Sequence, residues 1–193
     1  SVAFTVDGRN VEVPDDGSSL LVVLRDRLGV RSPKDGCSPQ GQCGCCTVLV
    51  DGAPRVSCVT PVRRVEGRVI TTVDGLSAED RERWSSAFVA TGASQCGFCT
   101  PGIVCRLEGL RSKGTSPDDR AAVDRALSAH LCRCTGWQTI GEAWPSPGSG
   151  VRHTACAGLQ SRGNPVSCEV PSRRGPRHWG QFSAETEVTS SSR

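Results

Sequence analysis

The sequence predicts an α+β protein, because turn-separated β-strand patterns fill its first half and helical patterns fill its second half. Positions 2–13 and 47–59 each hold two valine-containing runs separated by an Asp-Gly pair, which is typical of β-hairpins. From position 76 onward, apolar residues recur at the three- and four-residue spacing of amphipathic helices. The length of 193 residues is enough for two small domains.

The first domain is predicted to span residues 1–75 and to contain a mixed sheet with one packed helix. Its elements, in order, are strands at 2–6 and 10–13, a helix from Ser18 to Gly29, strands at 47–50 and 55–59, and a strand at 69–73. Gly29 can end the helix because glycine readily adopts the left-handed conformation of a helix C-terminus. A long loop rich in glycine and cysteine connects this helix to the third strand.

The second domain is predicted to span residues 76–145 and to contain four helices. Their start signals are Ser77 with Asp80, Thr100-Pro101 and Ser116-Pro117, and the last helix is a short one around positions 140–144. Residues 146–193 are rich in Pro, Gly, Ser and Arg and show no sustained periodicity. This composition predicts an irregular C-terminal tail that is extended or disordered.

Twelve cysteines are the unusual feature of a composition with only 4% aromatic residues. Cys37, Cys43 and Cys46 lie on one glycine-rich loop, and Cys58 follows in the next hairpin. Three thiolates on one loop with a distant fourth are the layout of a plant-type [2Fe–2S] cluster. Cys37 stands one residue farther from Cys43 than in the usual spacing, and Cys45 is a rival to Cys46. We prefer Cys46, which preserves the C-x₂-C pair and directly precedes a strand.

A second cysteine quartet lies in the helical half of the sequence. Cys96 and Cys99 form a C-x₂-C pair that leads into a helix, and Cys132 and Cys134 form a C-x-C pair at the end of another. A helix N-terminus favours an anionic, thiolate-bound group through its free N–H groups and its dipole. The spacing therefore predicts a second metal-binding site.

Zinc ligation and disulfide bonding agree less well with the spacing of the cysteines. Zinc modules typically use two C-x₂₋₄-C knuckles, and a disulfide framework would have to pair cysteines that are neighbours in sequence. Cys105 lies inside a predicted helix and is expected to be an inert core thiol. Cys156 and Cys168 lie in the tail without neighbouring ligands and are expected to bind nothing. His130, two residues before Cys132, is expected to pack or lie at the surface rather than bind metal.

Composition also excludes several classes of protein. The longest apolar runs are far too short for a membrane span, and the start of the sequence shows no secretory signal, which favours a cytoplasmic location. Acidic and basic residues balance over positions 1–150, and the net charge of +3 comes from the arginines that follow. Without a dense basic stripe, nucleic-acid binding is not expected.

Taken together, the two cysteine quartets resemble those of the small [2Fe–2S] iron–sulfur subunit of the molybdenum hydroxylases. This family contains xanthine dehydrogenase, aldehyde oxidoreductase and aerobic carbon monoxide dehydrogenase. The resemblance covers residues 2–145, and the family usually has Tyr where Trp137 stands. The motifs that carry it are Gly36-Cys37, Cys43-Gly44-Cys45-Cys46-Thr47-Val48, Cys58, Cys96-Gly97-Phe98-Cys99-Thr100-Pro101-Gly102 and Cys132-Arg133-Cys134-Thr135-Gly136.

The resemblance implies a β-grasp, plant-type ferredoxin-like domain followed by an all-α four-helix domain, each with one [2Fe–2S] cluster. It implies that Gln95 contacts the molybdopterin cofactor of a partner. The implied ligands of the flavin-proximal cluster are Cys37, Cys43, Cys46 and Cys58. Those of the molybdenum-proximal cluster are Cys96, Cys99, Cys132 and Cys134.

The resemblance further implies that the chain is an electron-transfer subunit that is not catalytic alone. Its partners would be a large molybdopterin-binding subunit, where the substrate is oxidised, and a medium FAD-binding subunit, in a higher heteromeric assembly. Electrons would leave the molybdenum centre through the two clusters and reach FAD. The alternatives are a free-standing two-cluster carrier or redox sensor, against which the balanced charge argues, and a structural zinc protein.

Overall fold

The computed structural model of the protein describes residues 1–144, so the predicted tail at 146–193 lies outside the described residues. The strands are β1 (Val2–Val6), β2 (Arg9–Val13), β3 (Thr47–Val50), β4 (Ala53–Val56) and β5 (Val69–Thr71). The helices are α1 (Leu20–Val22), which continues as a π-helical turn at Val23–Arg27, then α2 (Ala78–Thr91), α3 (Thr100–Arg111), α4 (Arg120–Leu127) and α5 (Gln138–Glu142). Short 3₁₀ helices lie at Ser57–Val59 and Val62–Val65. The α+β class is confirmed.

The five strands form one mixed sheet in the order β2-β1-β5-β3-β4. The strands β1 and β5 are parallel, with Val6 opposite Ile70, and the other neighbouring pairs are antiparallel. Both hairpins turn at the predicted Asp-Gly pairs, where Asp7, Gly8, Asp51 and Gly52 all have positive φ angles. Two successive positive φ angles are the signature of the tight hairpin turn that matches the twist of the sheet.

Two of the predicted strands are shorter than expected, because side chains bond to the backbone at their ends. The sequence predicts that the second hairpin continues to position 59, but Ser57 donates from its hydroxyl to the Cys46 carbonyl at 2.7 Å. The Thr60 hydroxyl donates to the Val56 carbonyl at 2.8 Å, and the chain between them forms a 3₁₀ turn. Such local side-chain bonds compete with a strand ladder. Likewise, β5 ends at Thr71 because Thr72 bonds instead to the Asp7 carboxylate.

Several helix ends also differ by a few residues from the sequence-based expectation. The first helix begins after Ser19, whose hydroxyl accepts from the Val22 N–H, rather than at Ser18. The residue that precedes α3 is Cys99, and Thr100 is its first residue. The helix α4 ends at Leu127, so the C-x-C pair lies in the following loop rather than at the helix terminus. The last helix starts at Gln138, before the predicted position.

The strand β3 is buried on both faces, and this position connects the two halves of the described chain. Successive side chains of a strand point to opposite faces. Accordingly, Val48 and Val50 belong to the core between the sheet and α1, whereas Leu49 belongs to the core formed by α2–α5. The cysteine-rich loop that leads into β3 is thereby placed against the helices. The predicted domain division at residues 75 and 76 stays a prediction.

The helical core also encloses a buried carboxylate. Glu108 on α3 is 4% exposed. It accepts hydrogen bonds from the Trp84 indole at 2.7 Å and from the Arg111 guanidinium at 2.7 Å and 2.9 Å. These charge-assisted bonds compensate the desolvation of the carboxylate. Within residues 1–144, no helix is long and apolar enough to cross a membrane.

Candidate metal centres

The first cysteine set surrounds the end of the loop that precedes β3. Cys43, Cys46 and Cys58 are buried, and Cys37 is partly exposed. Cys46 and Cys58 pack against Leu21 of α1, with Cys37 beside them. The hydrogen bond from the Ser57 hydroxyl to the Cys46 carbonyl fixes the 3₁₀ turn that carries Cys58. The fold thus brings together Cys37, Cys46 and Cys58, and Cys43 lies beside Cys37.

Backbone N–H groups point at the sulfur of Cys37. The Gln40 N–H donates to Cys37 Sγ at 3.2 Å. Burial raises the pKa of Cys37, but N–H donors from Cys43, Gln40 and Gln42 outweigh it and lower the pKa to about 6. In the loop between Cys37 and Cys43, Ser38 has a positive φ, and its N–H donates to the Asp35 carboxylate at 2.9 Å. The loop therefore provides an environment that stabilises a thiolate.

Cys58 is buried beside another thiol of this set. Burial raises its pKa to about 12, and the neighbouring Cys46 side chain acts in the same direction. Two thiolates this close repel each other in the absence of a cation. A bound positively charged metal would remove that repulsion, since coordination deprotonates a thiol.

Cys45 points away from Cys46, into the helical core. It is 4% exposed and packs in the same apolar cluster as Cys43 and Cys99, whereas Cys46 packs with Cys58. Its thiol donates to the Cys43 carbonyl at 3.6 Å. Burial, followed by the charge of Cys43, raises the pKa of Cys45 to about 12. This placement supports Cys46 as the fourth ligand.

The second cysteine set is more open. Cys99 is buried and Cys132 is partly buried, but Cys96 and Cys134 are exposed. Cys134 lies beside Cys96, and Cys132 lies beside Cys99. The Cys132 sulfur also lies 3.0 Å from the Thr135 hydroxyl. The fold therefore brings these four predicted residues together as well.

The acidities within the second set follow exposure and hydrogen bonding. An N–H bond from Phe98 lowers the pKa of Cys96, whereas burial raises that of Cys99 to about 12. For Cys132, burial is outweighed by the hydroxyl and N–H of Thr135, and its pKa is lowered. Cys99 precedes the first turn of α3, where the free N–H groups and the helix dipole favour negative charge. Within this set, the pKa values of Cys96 and Cys132 are thus lowered, whereas those of Cys99 and Cys134 are raised.

The two sets meet through direct backbone contacts. The Leu131 N–H, adjacent to Cys132, donates to the Cys43 carbonyl at 2.9 Å. Gly102 in the first turn of α3 packs on the peptide between Gly44 and Cys45, and a Cβ at this position would lie 3.0 Å from the Cys45 Cα. Only glycine allows such a close approach of a helix to a loop.

His130 is buried where the backbones of the two cysteine sets meet. The sequence predicted only part of its role. Its ring is 2% exposed and packs on Gly44, and its Nε2 lies 3.2 Å from the Thr47 hydroxyl. Burial, together with the positive charge of Arg106, lowers the pKa of His130 to about 4. The packing role expected from the sequence holds, but the contact with Gly44 depends on the fold and leaves no pattern in the sequence.

Gln95 is exposed at the surface immediately before Cys96. Its predicted contact with a molybdopterin cofactor stays a prediction, because the contact would be made with another chain. Cys105, expected to be a core thiol, is 1% exposed within α3, and burial raises its pKa to about 12. The negative charges of Asp7, Asp74 and Glu108 raise the pKa of Cys105 further.

The donor set fits a pair of [2Fe–2S] centres. Each set offers four cysteine side chains, and cysteine thiolates are the ligands that such clusters require. Backbone N–H groups approach the sulfurs of Cys37 and Cys96, as in sites where hydrogen bonds tune the cluster. Over positions 1–144, no group of three or more Cys, His, Asp or Glu side chains forms a compact site for a single ion.

Two known protein families match the described chain, one over its first half and one over its second half. Residues 4–77 match the 2Fe-2S iron-sulfur cluster binding domain, and residues 72–144 match the [2Fe-2S] binding domain. One of the nicotinate dehydrogenase subunits of Pseudomonas putida is 38% identical over 138 residues, covering 69% of this chain and 85% of the relative.

A similar correspondence holds for a longer enzyme and for a solved structure. The aldehyde oxidoreductase of Megalodesulfovibrio gigas is 39% identical over 145 residues, which are 72% of this chain but 16% of that protein. The crystal structure of quinoline 2-oxidoreductase from Pseudomonas putida superimposes with a TM-score of 0.68 at 38% identity, covering 76% of this chain and 90% of that chain. The chain therefore belongs to the [2Fe–2S] iron–sulfur subunits of the molybdenum hydroxylase family.

Proposed function

We propose that the chain is the electron-transfer subunit of a molybdenum hydroxylase. It would carry electrons from a molybdopterin centre on a large subunit, through two [2Fe–2S] centres, to FAD on a medium subunit. Relatives that are subunits of nicotinate dehydrogenases support the enzyme class, and the two cysteine sets support the carrier role. The chain itself is not catalytic, and hydroxylation would take place on the large subunit.

The residues proposed to hold the centres divide between the two halves of the chain. When bound, a [2Fe–2S] cluster accepts and releases one electron at a time. The ligands proposed for the flavin-proximal centre are Cys37, Cys43, Cys46 and Cys58. The ligands proposed for the molybdenum-proximal centre are Cys96, Cys99, Cys132 and Cys134. The proposed β-grasp domain at 1–75 and four-helix domain at 76–145 would carry one centre each.

The observation that carries the proposal is the hydrogen bond between the two ligand loops. The Leu131 N–H donates to the Cys43 carbonyl at 2.9 Å, so one bond connects the backbone beside Cys132 to the backbone of Cys43. Electrons tunnel more efficiently through bonded atoms than through gaps. Gly102 packs on the backbone of Gly44 and Cys45, and the edge of the Phe98 ring lies near Gly36.

The exposure of the second set indicates where a partner would bind. Cys96 and Cys134 are exposed, and the side chains of Phe98 and Leu131 beside them are 45% and 61% exposed. Large apolar side chains exposed around a functional site are typical of protein interfaces. We place the large subunit here, with Gln95 contacting its molybdopterin, and the medium subunit nearer the first set. A cytoplasmic, higher heteromeric assembly without bound nucleic acid completes the proposal.

Co-purification tests this proposal directly. The full chain, tagged and purified from its own cells, should bring down a larger molybdenum-containing protein and a flavin protein in fixed proportion. A variant of the proposed interface, Phe98→Ser with Leu131→Ser, replaces both exposed apolar side chains. It should release the large protein while both centres are retained. A chain that purifies alone with two centres would instead indicate a free-standing carrier.

A further inference from the structure

The side chain of His130 lies where the loop of the first cysteine set meets the loop of the second. It is only 2% exposed, although it stands two positions before Cys132 in a loop. The ring packs on the first loop, since a Cβ at Gly44 would lie 2.6 Å from its Cγ and 2.7 Å from its Nε2. The imidazole therefore occupies the space that any side chain at position 44 would need.

The Nε2 atom of His130 connects the ring to the same loop through Thr47. Nε2 lies 3.2 Å from the Thr47 hydroxyl, and that hydroxyl donates to the Gly44 carbonyl at 2.7 Å. The Thr47 N–H donates to the same carbonyl at 3.0 Å. Ring, hydroxyl and carbonyl thus form a connected polar chain across the turn at positions 44–47, which contains Cys46.

The backbone next to His130 attaches the two loops a second time. The Leu131 N–H donates to the Cys43 carbonyl at 2.9 Å. The His130 N–H donates to the Leu127 carbonyl at 2.9 Å, which fixes position 130 to the end of α4. Two consecutive residues of one loop, 130 and 131, therefore contact two consecutive residues of the other, 44 and 43. This attachment at two points restricts sliding of one loop along the other.

His130 also borders a cleft beside α4 and α5. The cleft has a volume of about 340 Å³, and Leu127, Leu131 and Trp137 line it together with His130. Because His130 both lines the cleft and packs on Gly44, its ring lies between the cleft and the contact of the two loops. A smaller side chain would admit water, which would compete for the carbonyl groups of the first loop.

We propose that His130 is a positioning residue that fixes the spacing between the two cysteine loops and thereby the electronic coupling of the two proposed [2Fe–2S] centres. This inference rests on the proposed function, since coupling requires both centres. When one electron passes between them, one centre is oxidised and the other is reduced, and no further reactant is needed. Such coupling falls steeply with distance. The role depends on the packing of the ring and its contact with Thr47, not on its charge.

The test compares the purified full chain with His130→Ala, His130→Gln, Thr47→Val and the control Val123→Ala. Alanine removes both the packing on Gly44 and the contact with Thr47, and valine removes the hydroxyl. The glutamine amide can still reach that hydroxyl. Val123 is an equally buried side chain of α4, so its truncation controls for general destabilisation.

The first measurement is amide hydrogen exchange of the segment that contains Leu131, followed by mass spectrometry. In His130→Ala and Thr47→Val, the Leu131 amide should exchange about fivefold faster, as expected when one ordinary hydrogen bond is lost. His130→Gln and Val123→Ala should exchange like the wild type.

The second measurement is the electron paramagnetic resonance spectrum of the fully reduced chain. Two neighbouring paramagnetic centres split each other's signals, and the splitting falls steeply with their separation. We expect the splitting to be reduced or lost in His130→Ala and Thr47→Val and retained in His130→Gln. Val123→Ala should lower the melting temperature without changing the splitting, which separates positioning from stability alone.

Each contrary outcome overturns the inference in a recognisable way. Wild-type exchange and splitting in His130→Ala, or in Thr47→Val, show that the contact does not position the loops. Equal losses in His130→Gln or Val123→Ala show the same. If His130→Ala does not fold, Thr47→Val decides. A wild-type chain without iron and acid-labile sulfide refutes the proposed function, whereas the exchange measurement still tests the contact, so the two failures are distinguishable.

Discussion

The two cysteine sets differ in how completely this chain encloses them. The first is surrounded by α1, the loop before β3 and the turn at Ser57–Val59, and three of its four proposed ligands are buried. The second has two exposed cysteines at the edge of the helical half. The first site is therefore built by this chain alone, whereas the second presents a surface that another protein can cover. An electron carrier between two partners needs such an accessible side.

The largest effect is expected when one ligand is removed from each set. Cys46→Ala should eliminate the first centre and Cys99→Ala the second, so each variant should retain about two of about four irons. Each loss should be confined to one set because no proposed ligand is shared between them. Iron analysis with electron paramagnetic resonance measures the result, and Cys105→Ala is the control. If either substitution removes all iron, the sets are not independent.

The difference in exposure predicts different resistance to chelators. In the purified full chain, an iron chelator should remove the second centre before the first, because Cys96 and Cys134 are accessible to it and Cys46 and Cys58 are not. The order of loss is measured by following the electron paramagnetic resonance signals of the two centres over time. Bound large subunit should abolish the difference. Equal rates in the isolated chain would contradict the enclosure of the first site.

The helical half also depends on the buried Glu108, whose closest positive partner is Arg111. Arg111→Met leaves a desolvated carboxylate with fewer donors, which should destabilise the protein by about 1.5–3 kcal/mol. The control Arg68→Met removes a cation from an ion pair with Asp51 in which both side chains are largely exposed. Such exposed pairs contribute about 0–1 kcal/mol. Melting temperatures at one heating rate compare the variants, and equal losses would contradict the importance of burial.

The contact between the halves can be tested at Gly102. Gly102→Ala places a methyl group against the backbone of Gly44 and Cys45, which cannot move without disturbing the first set. Overpacking of this kind typically costs about 1–3 kcal/mol. The matched control is Gly141→Ala in α5, where the obstacle is the flexible end of Arg120. There we expect little change in melting temperature, and a control as damaging as Gly102→Ala would contradict a specific role for the Gly102 contact.

The sequence predicted best those features that depend on neighbouring residues. Both Asp-Gly hairpins form at the predicted positions, since two residues with positive φ are sufficient to set such a turn. The two cysteine groups could be sorted from their spacing alone, and the fold brings together the members of each. The start of α2 after Ser77 also follows from a local hydrogen bond with Asp80.

Features that depend on distant contacts could not be predicted. The 3₁₀ turn that carries Cys58 requires the Cys46 carbonyl, which lies eleven positions earlier and accepts from Ser57. The burial of His130 requires Gly44, far away in sequence, to leave room for its ring. The direction of Cys45 likewise follows from Gly36 and Gly102, which no local pattern relates to it.

This one chain is proposed to hold two [2Fe–2S] centres. The most direct measurement is the iron and acid-labile sulfide content of the purified full chain, with the resonance spectrum of its reduced form. We predict about four irons and about four sulfides per chain, with two distinguishable signals. Zinc in place of iron, or iron without acid-labile sulfide, would contradict it.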